Sequence, residues 1–349
     1  MQCYKVTKSL TNIGNPNQQF PICCIKQLDT RPCQPPLILH LLLKPINKNN
    51  KIMRLDIQVQ PTRPNMAAPP VSEVIIIEEI QVDDENDGKG VIALVCINRP
   101  NKLNALNDDV MSGLKAMCNW AENQNQIKLV IIKGAEPLQP EEGKRAKPNA
   151  FVAGADISEF AGKKSNDIRQ SFKHNAWEKI WNLSKPTIAM VDGFALGGGL
   201  EVACSCDIRM ASSRSKFGTP EITLGLIPGG GGTQRLGHLI GYGKTLELVL
   251  SGEMISANEA LRIGLVNHVY EPEELLEATL KLARIIASKS PHTLKVAKKV
   301  VRASLELPIS EGVVLEAEEF AQLFDTEDKE IGVEAFLNGT RTTPNWKGK

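Results

Sequence analysis

"VDGFALGGGLEVACSCDIRMA" (191–211) sets three consecutive glycines between a strand-like run and a glutamate followed by small apolar residues. The apolar residues before Gly193 read as a buried strand, and Leu200 onward reads as a short helix. Gly197, Gly198 and Gly199 then stand at a strand-to-helix turn. The first N–H groups of a helix have no internal partner, and its macrodipole is positive at that end. Glycine has no Cβ, so a ligand atom can come close to such a backbone. The turn suits an anion, or a carbonyl oxygen gaining negative charge. The plainer reading is that the glycines only let a helix pack tightly on a strand. Glu201 opens the helix among apolar neighbours. It is either a partner for the helix dipole or a carboxyl whose pKa is shifted toward catalysis.

Working outward from this turn, strand-like and helix-like stretches alternate. "VIIIEEIQV" (74–82) and "GVIALVCINRP" (90–100) read as strands joined by an acidic turn. "NDDVMSGLKAMCNWAEN" (107–123) has helical spacing with Asn107 or Asp108 as N-cap. "IKLVIIKG" (127–134) is a buried strand, and "AFVAG" (150–154) another. "DIRQSFKHNAWEKIWNLS" (167–184) is helical, "KPTIAMVDGFA" (185–195) a strand, and "IRMASSRSKFGTP" (208–220) returns as strand. "TQRLGHLIGYGKTLELVLSG" (233–252) and "SANEALRIG" (256–264) supply helices. The repeat of two strands and a helix predicts mixed α/β layers. Residues 271–349 are almost all helical up to an irregular tail, "NGTRTTPNWKGK" (338–349).

Two further stretches carry chemistry. In "FGTPEITLG" (217–225), Pro220 starts a rigid segment and Glu221 sits among apolar residues, either as a satisfied structural carboxylate or as a reactive one. Two carboxylates beside one oxyanion site would form a general acid/base pair. In "AFVAGADISEF" (150–160), small residues again expose backbone N–H groups. "PGGGG" (228–232) lacks the G-K-[ST] of a phosphate cradle. The five histidines show no metal-binding spacing, and His174 reads as a partly buried helix residue. Phe172 and Trp177 read as core, on a helix able to shape a pocket.

Together, "NRPNKLNAL" (98–106), "AFVAGADI" (150–157), "VDGFALGGGLEVACSCDIRMA" (191–211) and "FGTPEITLGLIPGGGGTQRL" (217–236) resemble the enoyl-CoA hydratase, or crotonase, family. Their order and separations agree with it over residues 71–349. Only the loop 134–149 is longer and more charged than the resemblance leads one to expect. The resemblance implies a crotonase-like spiral of ββα units over 66–270, with a helical C-terminal region, 271–349, that forms trimers or hexamers. It implies Glu201 and Glu221 as the catalytic pair and the N–H groups of Ala153 and Gly198 as the oxyanion hole. Lys102, Leu103, Asn104, Ala155, Asp156, Ile157, Gly197, Pro220 and Gly229 would border the coenzyme A thioester. A surface lysine is the plainer reading of Lys102. Family members that only isomerise a double bond replace the equivalent of Glu201, so its presence here implies water addition. Coenzyme A is part of the substrate, and no other cofactor and no metal is implied.

Composition narrows the class further. Residues 1–65 carry nine Lys and Arg against Asp29 and Asp56, a net +7, and eight prolines without a sustained period. They read as disordered or as sequence upstream of the natural start, Met66, with mitochondrial targeting a second reading. The remainder has 32 basic and 38 acidic residues, a net −6, and so no bulk attraction to nucleic acid or anionic membrane. The +7 segment with "KGAEPLQPEEGKRAKP" (133–148) is the basis for an alternative, an RNA-binding crotonase-like protein; an enoyl-CoA isomerase is the other. No apolar run approaches the roughly 20 residues of a membrane span. Cys96, Cys118, Cys204 and Cys206 lack metal spacing and read as reduced cysteines of a cytoplasmic protein.

Overall fold

The computed structural model describes residues 67–82, 90–140, 143, 145–172 and 175–349, and the backbone of 38–47 and 50–60. Contacts divide the chain into two units, after Met66. Most of residues 1–65, with the expectation attached to them, lies outside the described residues, as does His174. What is described of the first unit is one antiparallel pair, β1 (Ile38–Asn47) with β2 (Asn50–Gln60), Ile38 opposite Gln60.

The second unit repeats two strands and a helix. β3 (Ile75–Val82) and β4 (Gly90–Ile97) lead into α1 (Asp108–Asn123), and β5 (Ile127–Gly134) and β6 (Ala150–Val152) into α2 (Ser165–Phe172) and α3 (Ala176–Trp181). β7 (Thr187–Val191) and β8 (Phe194–Leu196) precede α4 (Gly198–Ser205). β9 (Ile208–Ser212) and β10 (Lys216–Gly218) precede α5 (Gly232–Ile240) and α6 (Tyr242–Ser251). β11 (Met254–Ser256), α7 (Ala257–Arg262) and β12 (His268–Tyr270) close this part, and α8 (Pro272–Ala287), α9 (Pro291–Ala303), α10 (Ile309–Leu323) and α11 (Glu327–Leu337) follow.

Each repeat sends its strands to different sheets. β4, β5, β7 and β9 run parallel in a six-stranded sheet of order β12-β9-β7-β5-β4-β3, while β6, β8 and β10 run parallel in a four-stranded sheet closed by β11. This is the spiral architecture the resemblance implies. The large sheet is covered on both faces, so its strands are near-continuous apolar runs. Ile92, Leu94, Leu129, Ile131, Ile188, Met190 and Met210 project to one face at the two-residue period of a strand. They pack with Leu275, Ala283 and Ala287 of α8. Full burial of one such Leu or Ile side chain stabilises the fold by about 1.5–3 kcal/mol.

Local chemistry sets the boundaries. Asn107 caps α1 by accepting from Val110 N, so of the two candidate caps the asparagine takes the role. The stretch 167–184, expected as one helix, is two, because Asn175 caps α3 separately by accepting from Glu178 N. The run 208–220 is broken into β9 and β10, with Ser212 and Ser215 hydrogen-bonded to each other across the bend. The tail after α11 is irregular but anchored: Asp328 accepts from the N–H groups of Lys347 and Gly348, and Trp346 Nε1 donates to Ser288 O.

Candidate active site

Three turns that the sequence marks for chemistry leave the C-terminal ends of three neighbouring parallel strands. β8 lies between β6 and β10. β6 ends at Val152 before Ala153–Ala155, β8 at Leu196 before Gly197 and Gly198, and β10 at Gly218 before Pro220 and Glu221. Ala155 with Gly198, 43 residues apart, and Gly198 with Glu221, 23 apart, therefore come together because their strands are hydrogen-bonded neighbours. Gly197 N donates to Gly218 O at 2.9 Å, which ties the second turn to the third.

The three glycines do different things. Gly197 has φ +49°, and a methyl group there would lie 2.7 Å from Glu221 Oε1, so side chains are excluded by both conformation and space. A methyl on Gly199 would collide with the carbonyl of Val152, which is the tight packing of the plainer reading. Gly198 packs closely on its neighbours: a methyl there would stand 3.1 Å from Leu106 Cδ1, 3.4 Å from Trp177 Cζ2 and 3.8 Å from the Ala155 nitrogen.

The expected pairing of amides needs one correction. Ala153 N donates to Leu103 O at 3.1 Å, so this N–H is already engaged inside the protein. Leu106 N donates to Gly154 O and Asp156 N to Leu106 O, which pins the turn; among the described residues neither Gly154 N nor Ala155 N has a protein acceptor, and of the two it is Ala155 N that lies near Gly198. Gly198 N, at the start of α4, likewise has none. The two free amides that meet are those of Ala155 and Gly198.

Glu201 lies in the first turn of α4 and is 2% exposed. Its Oε1 accepts from Gly230 N at 2.7 Å and Gly232 N at 2.8 Å, and among the described residues no donor reaches Oε2. Burial drives its pKa up to about 7; the bonds from Gly232 and Gly230 oppose this, and the charge of Glu221 adds to it. Glu221, on the short 3-10 turn Pro220–Leu224, is also shifted upward by burial. Its Oε2 is buried without a hydrogen-bond partner, as is Thr219 Oγ1. A buried acceptor without a donor is costly unless a ligand or water completes it.

The other expected residues divide. Lys102 is exposed, and Leu103 and Asn104 take left-handed backbone at φ 52° and 58°. Asn104 is buried with its side chain engaged: it accepts from Arg99 N and donates to Ala135 O and Ala150 O, so it holds the loop rather than a ligand. The carboxylate of Asp156 is held down to about 2 by Ser158 and Arg99. Ile157 and Gly229 are exposed. Of two further residues at the site, the sequence set Trp177 in the core, on a helix able to shape a pocket, and did not single out Arg235. Trp177 Nε1 donates to Gly198 O at 3.1 Å, and its ring stacks on Phe172 at 5.9 Å. Arg235 is buried against Gly230 O at 2.7 Å. A tryptophan on a helix looks like core in any sequence, and an arginine beside four glycines looks like surface. Among the described residues no group of three His, Cys, Asp or Glu is placed to hold a metal, and no helix is long and apolar enough to cross a membrane.

Comparison with known proteins agrees with the geometry. The family model described as enoyl-CoA hydratase/isomerase matches residues 87–349. The short-chain-enoyl-CoA hydratase of Clostridium acetobutylicum is 41% identical over 255 residues, 72% of this chain and 93% of that protein. A probable mitochondrial enoyl-CoA hydratase of Dictyostelium discoideum is 41% identical over 261 residues, 75% of this chain and 89% of that protein. The crystal structure of enoyl-CoA hydratase from Bacillus anthracis superposes with a TM-score of 0.69 at 31% identity, covering 78% of this chain and 99% of that one. With two carboxylates and two free amides gathered at the ends of β6, β8 and β10, the chain belongs to the enoyl-CoA hydratase/isomerase family.

Proposed function

We propose that the protein is a hydro-lyase that adds water reversibly to a 2-trans-enoyl-CoA, with Glu201 and Glu221 as its acid/base pair. The observation that carries this reading is the closeness of the Ala155 amide to Gly198, with a buried carboxyl, Glu201, and a half-buried one, Glu221, both of raised pKa. The thioester oxygen accepts from both amides. As water attacks the β-carbon, that oxygen gains enolate charge, and losing one such donor typically costs about 3–4 kcal/mol of transition-state stabilisation.

Glu201 is held by Oε1 and offers Oε2 to the water. It takes the water proton as the hydroxyl joins the β-carbon, and Glu221 gives its proton to the α-carbon. The proton gained by Glu201 returns to Glu221 before the next turnover. The reverse direction dehydrates a 3-hydroxyacyl-CoA with the same groups. Because the Glu201 pKa is raised to about 7, hydration falls as pH drops through that value and the base becomes protonated. The exposed edge at Ile157, with Lys102 nearby in the loop Arg99 ties to Asp156, would border the coenzyme A part. The apolar C-terminal helices would assemble the chain into trimers.

The test is to mix the protein with crotonyl-CoA and, separately, with a 3-enoyl-CoA. Loss of the conjugated absorbance of the first, with 3-hydroxybutyryl-CoA as product, supports the reading. Rapid isomerisation of the second without water addition to the first replaces it.

A further inference from the structure

Glu201 draws both its hydrogen bonds from the segment 228–232, which is one proline and four glycines. Glycine loses more conformational freedom on ordering than any other residue. The base therefore depends on two donors carried by a segment with little stiffness of its own. A methyl on Gly230 would run to 2.5 Å from Trp177, and one on Gly232 to 2.9 Å from Glu201 Oε1, so larger residues cannot supply that stiffness.

One side chain grips this loop from behind. Arg235, in the first turn of α5 and 8% exposed, donates from Nη1 to Gly230 O at 2.7 Å. The backbone N of Arg235 also donates to Gly231 O at 2.9 Å. The residue whose N–H meets Glu201 thus has its carbonyl held by Arg235. The guanidinium is itself fixed: Nη2 pairs with Glu178 of α3 at 2.8 Å, and the group stands 4.8 Å from the Trp181 ring. Arg302 of α9 stands over the same ring at 3.9 Å and pairs with Asp207. A buried guanidinium is costly, and here it has one carboxylate and one carbonyl. Its fork matches two acceptors at once, which an ammonium cannot do.

We infer that Arg235 is a positioning residue for Glu201: by holding Gly230 it keeps both amide donors on Oε1 and leaves Oε2 for the water. The inference rests on the reading of Glu201 as the group that accepts the water proton. The charged groups packed around Glu201 are Glu221 from the Pro220–Leu224 turn, Arg235 from α5, and through it Glu178 from α3. Cys204 on its own helix stays a thiol, its pKa pushed to about 11 by burial. Arg235 and the two amides favour the ionised carboxylate, whereas Glu221 opposes it. Loss of Arg235 therefore moves the acid limb of the pH–rate profile upward.

The experiment measures kcat, KM and the pH profile of crotonyl-CoA hydration for wild type, Arg235→Gln, Arg235→Lys and Glu201→Gln. Thermal unfolding is recorded in parallel. Arg235→Gln is expected to lower kcat about 10- to 100-fold, the range for a misplaced catalytic group. KM stays within about threefold, and the acid limb rises by about half a pH unit or more. Arg235→Lys, keeping charge without the fork, holds the limb near wild type with an intermediate kcat. Arg235→Gln with unchanged kcat and limb, while Glu201→Gln is inactive, overturns the inference alone. A fall in kcat with the limb unmoved and no gain from lysine also overturns it and makes Arg235 a folding residue. Should Arg235→Gln not fold, Arg235→Lys decides: kcat equal to wild type overturns the inference, and a fall of about fivefold or more with KM unchanged supports it. Full activity of Glu201→Gln defeats the underlying reading instead.

Discussion

Glu201 is held in a place that weakens the fold. Its pKa is raised from 4.5 to about 7 by burial, so the native state binds this proton more tightly than the unfolded chain does. The associated stability is fully present below about pH 4.5 and is lost as pH rises through about 7. At about 1.36 kcal/mol per pKa unit the ionised residue costs the fold on the order of 3 kcal/mol above pH 7. Glu201→Gln keeps an acceptor for Gly230 and Gly232 without the charge. Its unfolding free energy should exceed that of wild type by about 1–3 kcal/mol at pH 8, with the gap closing toward pH 5. Equal stability at both values would show that the carboxylate is better solvated than its burial implies. At this scale a carboxylate among apolar residues and a glycine run before a helix mark the two glutamates and Gly198 as candidates, and only the family resemblance gives them roles. The role of the Ala155 amide could not be read there. The amide of Ala153 is taken up by the carbonyl of Leu103, 50 residues away in sequence, which no local signal announces.

Among the elements, α3 bears most directly on substrate choice. Trp177 borders Gly198 and Gly230 and stacks on Phe172, whose ring a methyl on Gly229 would approach to 3.0 Å. This aromatic pair packs beside Gly198, and on the proposed function it would limit the length of the acyl chain. Trp177→Ala should lower kcat/KM for crotonyl-CoA about 10-fold and raise the C8-to-C4 ratio at least as much, since each methylene accommodated in an apolar pocket is worth about 1–3 kcal/mol. An unchanged ratio over the series from C4 to C10 would place the end of the pocket elsewhere. The ββα order was legible because strand and helix periods differ and glycines punctuate them. The breaks within 167–184 and 208–220 were not, since Asn175 and the Ser212–Ser215 bend act through hydrogen bonds that composition does not announce. The role of α3 depended on where the four-stranded sheet placed Gly198.

For the molecule as a whole, the C-terminal helices leave apolar surface uncovered. Ile309 is 87% and Phe336 84% exposed, and Val314, Phe320 and Phe324 are exposed as well. A monomer rarely leaves so many large apolar side chains exposed, and the proposed assembly would cover them with further copies of the chain. Sedimentation equilibrium at micromolar concentration should give a trimer or a multiple of it, and a lone 38.2 kDa species would contradict the assembly. The central account is tested most directly by initial rates of crotonyl-CoA hydration at pH 8 for wild type, Glu201→Gln, Glu221→Gln and the double variant. Each single change should cost about 10²- to 10⁴-fold in kcat, and the double much less than the product of the two, as expected for groups acting as a unit. A folded single variant retaining kcat within about threefold of wild type would contradict the account.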